Sequence, residues 1–158
     1  MLERQRHDAA LFVTLTYSEE EVPKDGSVDV KHVQLFLKRL RRRMEPLQVR
    51  YFAVGEYGDH TLRPHYHALL FGVGDAELVR SCWSSGHVYV GDVTPAAAAY
   101  CVGYVTKGIR GKEWFLRRGL RPEFARMSLK PGIGADAAVE FARVCGDIGE
   151  VEDVPLIS

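Results

Sequence analysis

Thr14 and Thr16 alternate with apolar neighbours through Leu11-Phe-Val-Thr-Leu-Thr-Tyr17, a period of two that predicts a first strand. The acidic run Glu19 to Ser27 contains Pro23 and Gly26 and reads as a loop. The period then changes. Val33, Phe36, Leu37 and Leu40 make an apolar stripe at helical spacing, predicting a helix from about Val30 to Met44, with Pro46 beyond its end. Val49 to Tyr57 and His65 to Phe71 read as second and third strands. The turn-rich Gly58-Asp-His-Thr-Leu-Arg-Pro64 between them predicts an antiparallel pair. A short helix over Asp75 to Trp83 and a fourth strand over His87 to Val90 follow. Thr94-Pro95 supplies an N-cap and first-turn proline for an Ala-rich helix that Gly108 would stop. Arg110 to Pro122 reads as basic and turn-like, and Ala135 to Val144 as a last helix. Strands alternating with helices in this way predict an α+β domain. Its central antiparallel sheet of four to five strands would carry helices on one face and leave the other free to bind a ligand.

The length of 158 residues fits one domain, expected over residues 1–145, followed by an acidic tail at 146–158. Hydrophobic and charged fractions of 46% and 27% are those of a folded globular chain rather than a disordered one. No apolar run approaches the roughly 20 residues of a membrane helix, and the charged N-terminus lacks a secretory apolar segment. No membrane association is therefore expected. The three cysteines, Cys82, Cys101 and Cys145, form neither a zinc pattern nor a disulfide framework and suit a reducing compartment. The net charge of zero conceals an asymmetry: residues 31–130 carry 17 Lys/Arg against 8 Asp/Glu, and both flanks are acidic. A basic middle suits a polyanion, with Arg41, Arg42, Arg63 and Arg110 as candidate phosphate contacts and Tyr57 as a candidate base-stacking residue. The cluster at the end of the first helix has a second explanation, because cations near a helix C-terminus are locally favourable.

The candidate chemistry sits in the third strand. His65 and His67 are two residues apart, so both imidazoles project from one face while Tyr66 points to the other. Glu56, on the partner strand near the same hairpin end, is the third candidate ligand. A His-His-Glu set with open coordination positions is of the catalytic rather than the closed structural type. The His-x-His pair alone reads equally well as two ordinary histidines, and Glu56 at this spacing tips the balance toward a metal. On the Ala-rich helix, Tyr100, Tyr104 and Lys107 fall on one face. Such a cluster suggests a tyrosine attacking a phosphodiester beside a divalent ion, with Lys107 orienting the hydroxyl or stabilising its anion. His87, on the fourth strand, has no same-face partner in its own segment and is assigned to packing. His60 is expected in solvent, and Trp83 and Trp114 in the core or at its rim.

Phe12-Val-Thr-Leu-Thr-Tyr17, Gly55-Glu-Tyr-Gly58 with Arg63-Pro-His-Tyr-His67, and Tyr100-x-x-x-Tyr104-x-x-Lys107 resemble the three ordered motifs of the HUH endonucleases. More narrowly they are similar to the replication initiation proteins of the Microviridae, small single-stranded DNA phages. Weaker matches at Val33–Leu40, Gly91–Thr94 and Pro122–Gly132 extend the resemblance over roughly residues 10–135. The resemblance implies a Rep nuclease fold, with Mg²⁺ or Mn²⁺ held by Glu56, His65 and His67, and Tyr100 and Tyr104 as nucleophiles. It also implies rolling-circle nicking and rejoining of single-stranded origin DNA in the bacterial cytoplasm, with host replication proteins as partners. Members of this family are longer and carry a Cys-rich stretch before the first motif. On the residues alone other classes remain open: a non-cleaving single-strand-binding module, a different metalloenzyme that does not use the tyrosines, or a plasmid or transposon nuclease.

Overall fold

The computed structural model describes residues 3–107 and 111–135, with side chains from Tyr104 to Lys107 left aside. The predicted last helix, the acidic tail, Gly108 and Arg110 lie outside the described residues, apart from Ala135 at the proposed start of that helix. Strands β1 (Ala10–Tyr17), β2 (Arg50–Tyr57), β3 (Pro64–Phe71), β4 (Gly86–Asp92) and β5 (Phe124–Met127) form one sheet in the order β4-β1-β3-β2-β5, antiparallel throughout. β1 and β2 flank β3 and run the same way, joined by helix α1 (Val30–Met44). Helices α2 (Ala76–Ser81), α3 (Pro95–Lys107) and α4 (Lys112–Leu116) complete the α+β fold.

The period-two pattern assigns every strand residue to a face. On one face Val13, Leu15, Tyr66, Ala68 and Leu70 pack against the α1 stripe Val33, Phe36, Leu37 and Leu40, all buried. Each of these fully buried apolar side chains contributes about 1.5–3 kcal/mol of transfer free energy. Asp29 caps α1 by accepting from the backbone N–H of Lys31 at 2.8 Å. The loop before α1 is fixed from the sheet: Val28 N donates to the Tyr57 hydroxyl and Asp29 N to the Tyr66 hydroxyl. Tyr66, the middle residue of the His-Tyr-His motif, is thus a core residue.

The opposite face is not free, as the sequence suggested. Ala10, Phe52, Val54, Leu69 and Phe71 form a second cluster with Cys101, with Ala98 packed beside it, so α3 covers part of this face. Its start follows the expected cap: the Thr94 hydroxyl accepts from Ala97 N at 3.1 Å. Cys101 is fully buried, and burial, together with the Glu56 charge, pushes its thiol up to about 12, so it is an inert packing residue.

Two elements were not read from the sequence. The segment read as a turn after Arg110 contains α4, anchored by Phe115, which is 1% exposed and stacked on Tyr57 with ring centroids 5.4 Å apart. β5 extends the sheet beyond β2, and its Phe124 ring lies over Gly55. A Cβ on Gly55 would stand 2.5 Å from a Phe124 ring carbon. Gly55→Ala is therefore expected to displace β5 and destabilise the protein by about 1–3 kcal/mol, read as a lower thermal midpoint. An unchanged midpoint would show that Phe124 does not depend on this gap. Among the described residues no helix is long and apolar enough to cross a membrane.

Candidate metal centre and nucleophile

The β2–β3 hairpin brings the three candidate ligands together. Glu56 is the direct cross-strand partner of His65, and His67 lies two residues further along the same face. Strand pairing of this kind sets Cβ atoms about 5 Å apart, within reach of a shared ion. One ligand atom from each of Glu56, His65 and His67 falls within 4.8 Å of the others. Glu56 Oε1 stands 2.7 Å from His65 Nε2 and 3.0 Å from His67 Nε2, and the carboxylate residue is 1% exposed.

The imidazoles are held from behind. His65 Nδ1 lies 3.1 Å from the Arg63 carbonyl oxygen, which can only accept, so this ring carries its proton on Nδ1 and turns Nε2 toward Glu56. His67 Nδ1 lies 2.9 Å from the Thr14 hydroxyl, and its ring stacks on Phe12 with centroids 5.5 Å apart. Burial disfavours the charged form of His65. The hydrogen bonds to Glu56 and the Arg63 carbonyl, and the charges of Glu56 and Glu123, outweigh burial and hold the pKa above the ordinary value. A cation occupying this cluster competes with a proton for the same Nε2. Two oriented imidazoles and a buried carboxylate fit a divalent cation, and the group could bind one.

Thr14 was seen in the sequence only as part of a strand alternation; its role follows from Thr14 being the β1 partner of His67. Thr14→Val keeps the shape and β preference but removes the hydroxyl. It is expected to weaken Mn²⁺ binding about 10- to 100-fold in a calorimetric titration, the usual cost of losing an outer partner of a metal ligand. Unchanged affinity would mean that Phe12 stacking alone orients the ring.

Tyr100 reaches the same cluster from α3. Its hydroxyl donates to Glu56 Oε1 at 2.9 Å, and its ring meets the His67 ring edge-on at 5.1 Å. The residue is still 46% exposed, so the nucleophile candidate faces both solvent and the cluster. Tyr104 and Lys107 follow one and two turns later on the helix backbone, and their side chains lie outside the described set. A Cβ at Gly103 would meet nothing within 4 Å, so close approach of the sheet does not account for this glycine.

Beside the cluster an open cleft of about 790 Å³ is lined by Thr14, Thr16, Arg63, His65, His67 and His87 among others. Arg63 is at its wall, bound to Glu19 and to the Tyr17 carbonyl. His87 is exposed and shares this face, because Thr16 pairs with His65 on one side and His87 on the other. Its assignment to packing is therefore corrected. Tyr57 is also reassigned: it is 4% exposed, on the opposite face, with its hydroxyl donating to Arg121 O, and it cannot stack on a base. Arg41 and Arg42 ride on α1, behind the sheet, and Arg41 lies over the Tyr51 ring. They do not join the cluster. His60 is exposed and Trp83 buried, as expected.

Comparison with known proteins is decisive for the family. The family model for the replication-associated protein ORF2 matches residues 10–109, a span holding every strand of the site and the tyrosine helix. The chain belongs to this replication-associated protein family. It is 32% identical to replication-associated protein VP4 of Bdellovibrio phage phiMH2K, covering 66% of this chain and 41% of that protein. It is 31% identical to replication-associated protein ORF2 of Spiroplasma virus 4, covering 78% and 45% respectively. Replication-associated protein ORF4 of Chlamydia phage 1 is 27% identical, covering 67% of this chain and 32% of that protein. The chain spans less than half the length of these curated relatives. No solved structure matches it. The phage relatives agree with the resemblance to phage replication initiators carried by the His-Tyr-His and two-tyrosine motifs.

Proposed function

We propose that this replication-associated chain is a metal-dependent endonuclease of the HUH type that nicks single-stranded DNA at a phage origin. The observation that carries the reading is the shared oxygen: Glu56 Oε1 takes the Tyr100 hydroxyl while standing within hydrogen-bonding distance of both His Nε2 atoms. A nucleophile and a three-donor cation site thus meet at one atom.

Glu56, His65 and His67 would hold Mg²⁺ or Mn²⁺, which when bound polarises a backbone phosphate and offsets the charge developing on it. Tyr100 Oη attacks the phosphorus as the bond to the 3′ oxygen breaks. The products are a free 3′ hydroxyl and a 5′ phosphate ester on the tyrosine. The phenol has an ordinary pKa of about 10 and must lose its proton during attack. Its hydrogen bond to Glu56 orients it toward the cluster. Lys107, two turns along α3, stabilises the phenolate in this reading. Tyr104, one turn from Tyr100, serves as a second nucleophile, so one tyrosine can hold a DNA end while the other receives the next. Rejoining is the reverse attack by a 3′ hydroxyl. Arg63 at the cleft, and Arg110, are placed as phosphate contacts; Arg41 and Arg42 would contact DNA only on the far side of the sheet. The protein would act in the cytoplasm of the bacterial host, with host replication proteins as partners.

The test incubates the chain with labelled single-stranded origin DNA and Mn²⁺ or Mg²⁺, then separates products under denaturing conditions. A metal-dependent cleavage product with a protein-bound end, lost on adding EDTA, is expected. Tight single-strand binding without cleavage on any origin would instead identify a binding module.

A further inference from the structure

The face that carries the cation cluster continues past it onto β4. Two rows of cross-strand partners cross the sheet: Glu56, His65, Thr16, His87 and, one step along, Val54, His67, Thr14, Tyr89. Strands lie about 4.8 Å apart, so Tyr89 starts roughly 10 Å from the backbone of His67, two strand spacings away. His87 lines the cleft and is exposed, and Tyr89 is 64% exposed. Among the described residues the large exposed apolar side chains include two aromatics, Tyr89 and Tyr100, and both serve this face.

The posture of Tyr89 has a local cause. A Cβ on Gly91, the next residue on the same face, would stand 3.1 Å from the Tyr89 hydroxyl and 3.2–3.4 Å from its ring carbons. The ring therefore leans back along the strand into the space that the missing side chain leaves, and keeps one side open to solvent. β4 reads Gly-His-Val-Tyr-Val-Gly-Asp and carries no Lys or Arg, so this strip has nothing to pair with phosphate. Across the cleft Glu19 is matched by Arg63, which supplies the cation there. An aromatic plane without a cation, a few nucleotides from the cluster, suits a base rather than a backbone phosphate.

We infer that β4 is a base-stacking strip, on which Tyr89, seated over Gly91 and flanked by His87, holds an unpaired base of the DNA strand beside the scissile phosphate. This rests on the reading of the site as one that acts on single-stranded DNA. Stacking is indifferent to base identity, so the strip grips the strand and sets its path without selecting the origin.

Equilibrium binding of the intact chain to a labelled single-stranded oligonucleotide of mixed sequence, followed by anisotropy over a salt series, tests the strip. Tyr89→Ala is expected to weaken binding roughly 5- to 150-fold, the range for removing one stacked base. The slope of log affinity against log salt stays unchanged, whereas Arg63→Gln lowers that slope by about one. Tyr89→Phe binds like wild type, and Gly91→Val, which unseats the ring without removing it, weakens binding. Tyr89 is exposed, so its variants keep the wild-type thermal midpoint. Tyr89→Ala binding within about twofold of wild type, or Tyr89→Phe as weak as Tyr89→Ala, would overturn the strip. Covalent adduct yield with Mn²⁺ is read in parallel at saturating DNA, where Tyr89→Ala should equal wild type. Binding lost with Tyr89→Ala but no adduct from wild type would refute the nuclease and keep the strip. Adduct from wild type with binding indifferent to Tyr89 would do the reverse.

Discussion

The Tyr100→Phe/Tyr104→Phe double variant forms no covalent DNA adduct, a loss of at least about a thousandfold relative to wild type, as expected when the nucleophile itself is removed. Phe at position 100 keeps the edge-on contact with His67, whose ring lies 5.1 Å away, and deletes only the hydroxyl that donates to Glu56. That hydrogen bond is worth about 0.5–1.5 kcal/mol of stability, so the variant remains folded and still binds single-stranded DNA and Mn²⁺. The single variants divide the labour: whichever retains the first cleavage while losing strand transfer names the tyrosine used second. Adduct formation persisting in the double variant would remove tyrosine from the mechanism altogether.

Glu56→Gln has the second-largest effect. The amide preserves shape and can still accept the Tyr100 hydroxyl, but it removes the one anionic donor among the three candidate ligands. Losing a ligand costs more than losing an outer partner, so Mn²⁺ affinity and metal-dependent cleavage should both fall more than about 100-fold. Because Glu56 is 1% exposed, its charge is stabilised by the two imidazoles, and without it their protonated forms lose their partner. Metal titration and cleavage measured on the same preparation separate a lost ligand from a lost fold. Wild-type metal affinity in Glu56→Gln would rule out this carboxylate as a ligand.

Much of the fold was legible because its signals are local. The α1 stripe from Val33 to Leu40, the 58–64 hairpin and the Thr94-Pro95 cap each specify an element from within it, and strand parity placed His65 opposite Glu56. The same parity places Tyr57 on the face opposite to Glu56, but proximity to the motif had suggested a base contact. Where the information is non-local, the sequence was silent. β5 is four residues long and exists by pairing with β2, while α4 is held by the single plug of Phe115 against Tyr57. His87 meets the site only through the strand order β4-β1-β3, which no segment encodes alone. Thr14 likewise becomes a support for His67 only once β1 and β3 are in register.

Chemical identification of the DNA-linked residue tests the central claim most directly. After reaction with single-stranded origin DNA and Mn²⁺, the adduct is digested with nuclease and protease and its peptides are sequenced by mass spectrometry. A nucleotide 5′ phosphate esterified to Tyr100 or Tyr104 is the predicted result. Linkage to any other residue, or cleaved DNA with no linked peptide, would contradict it.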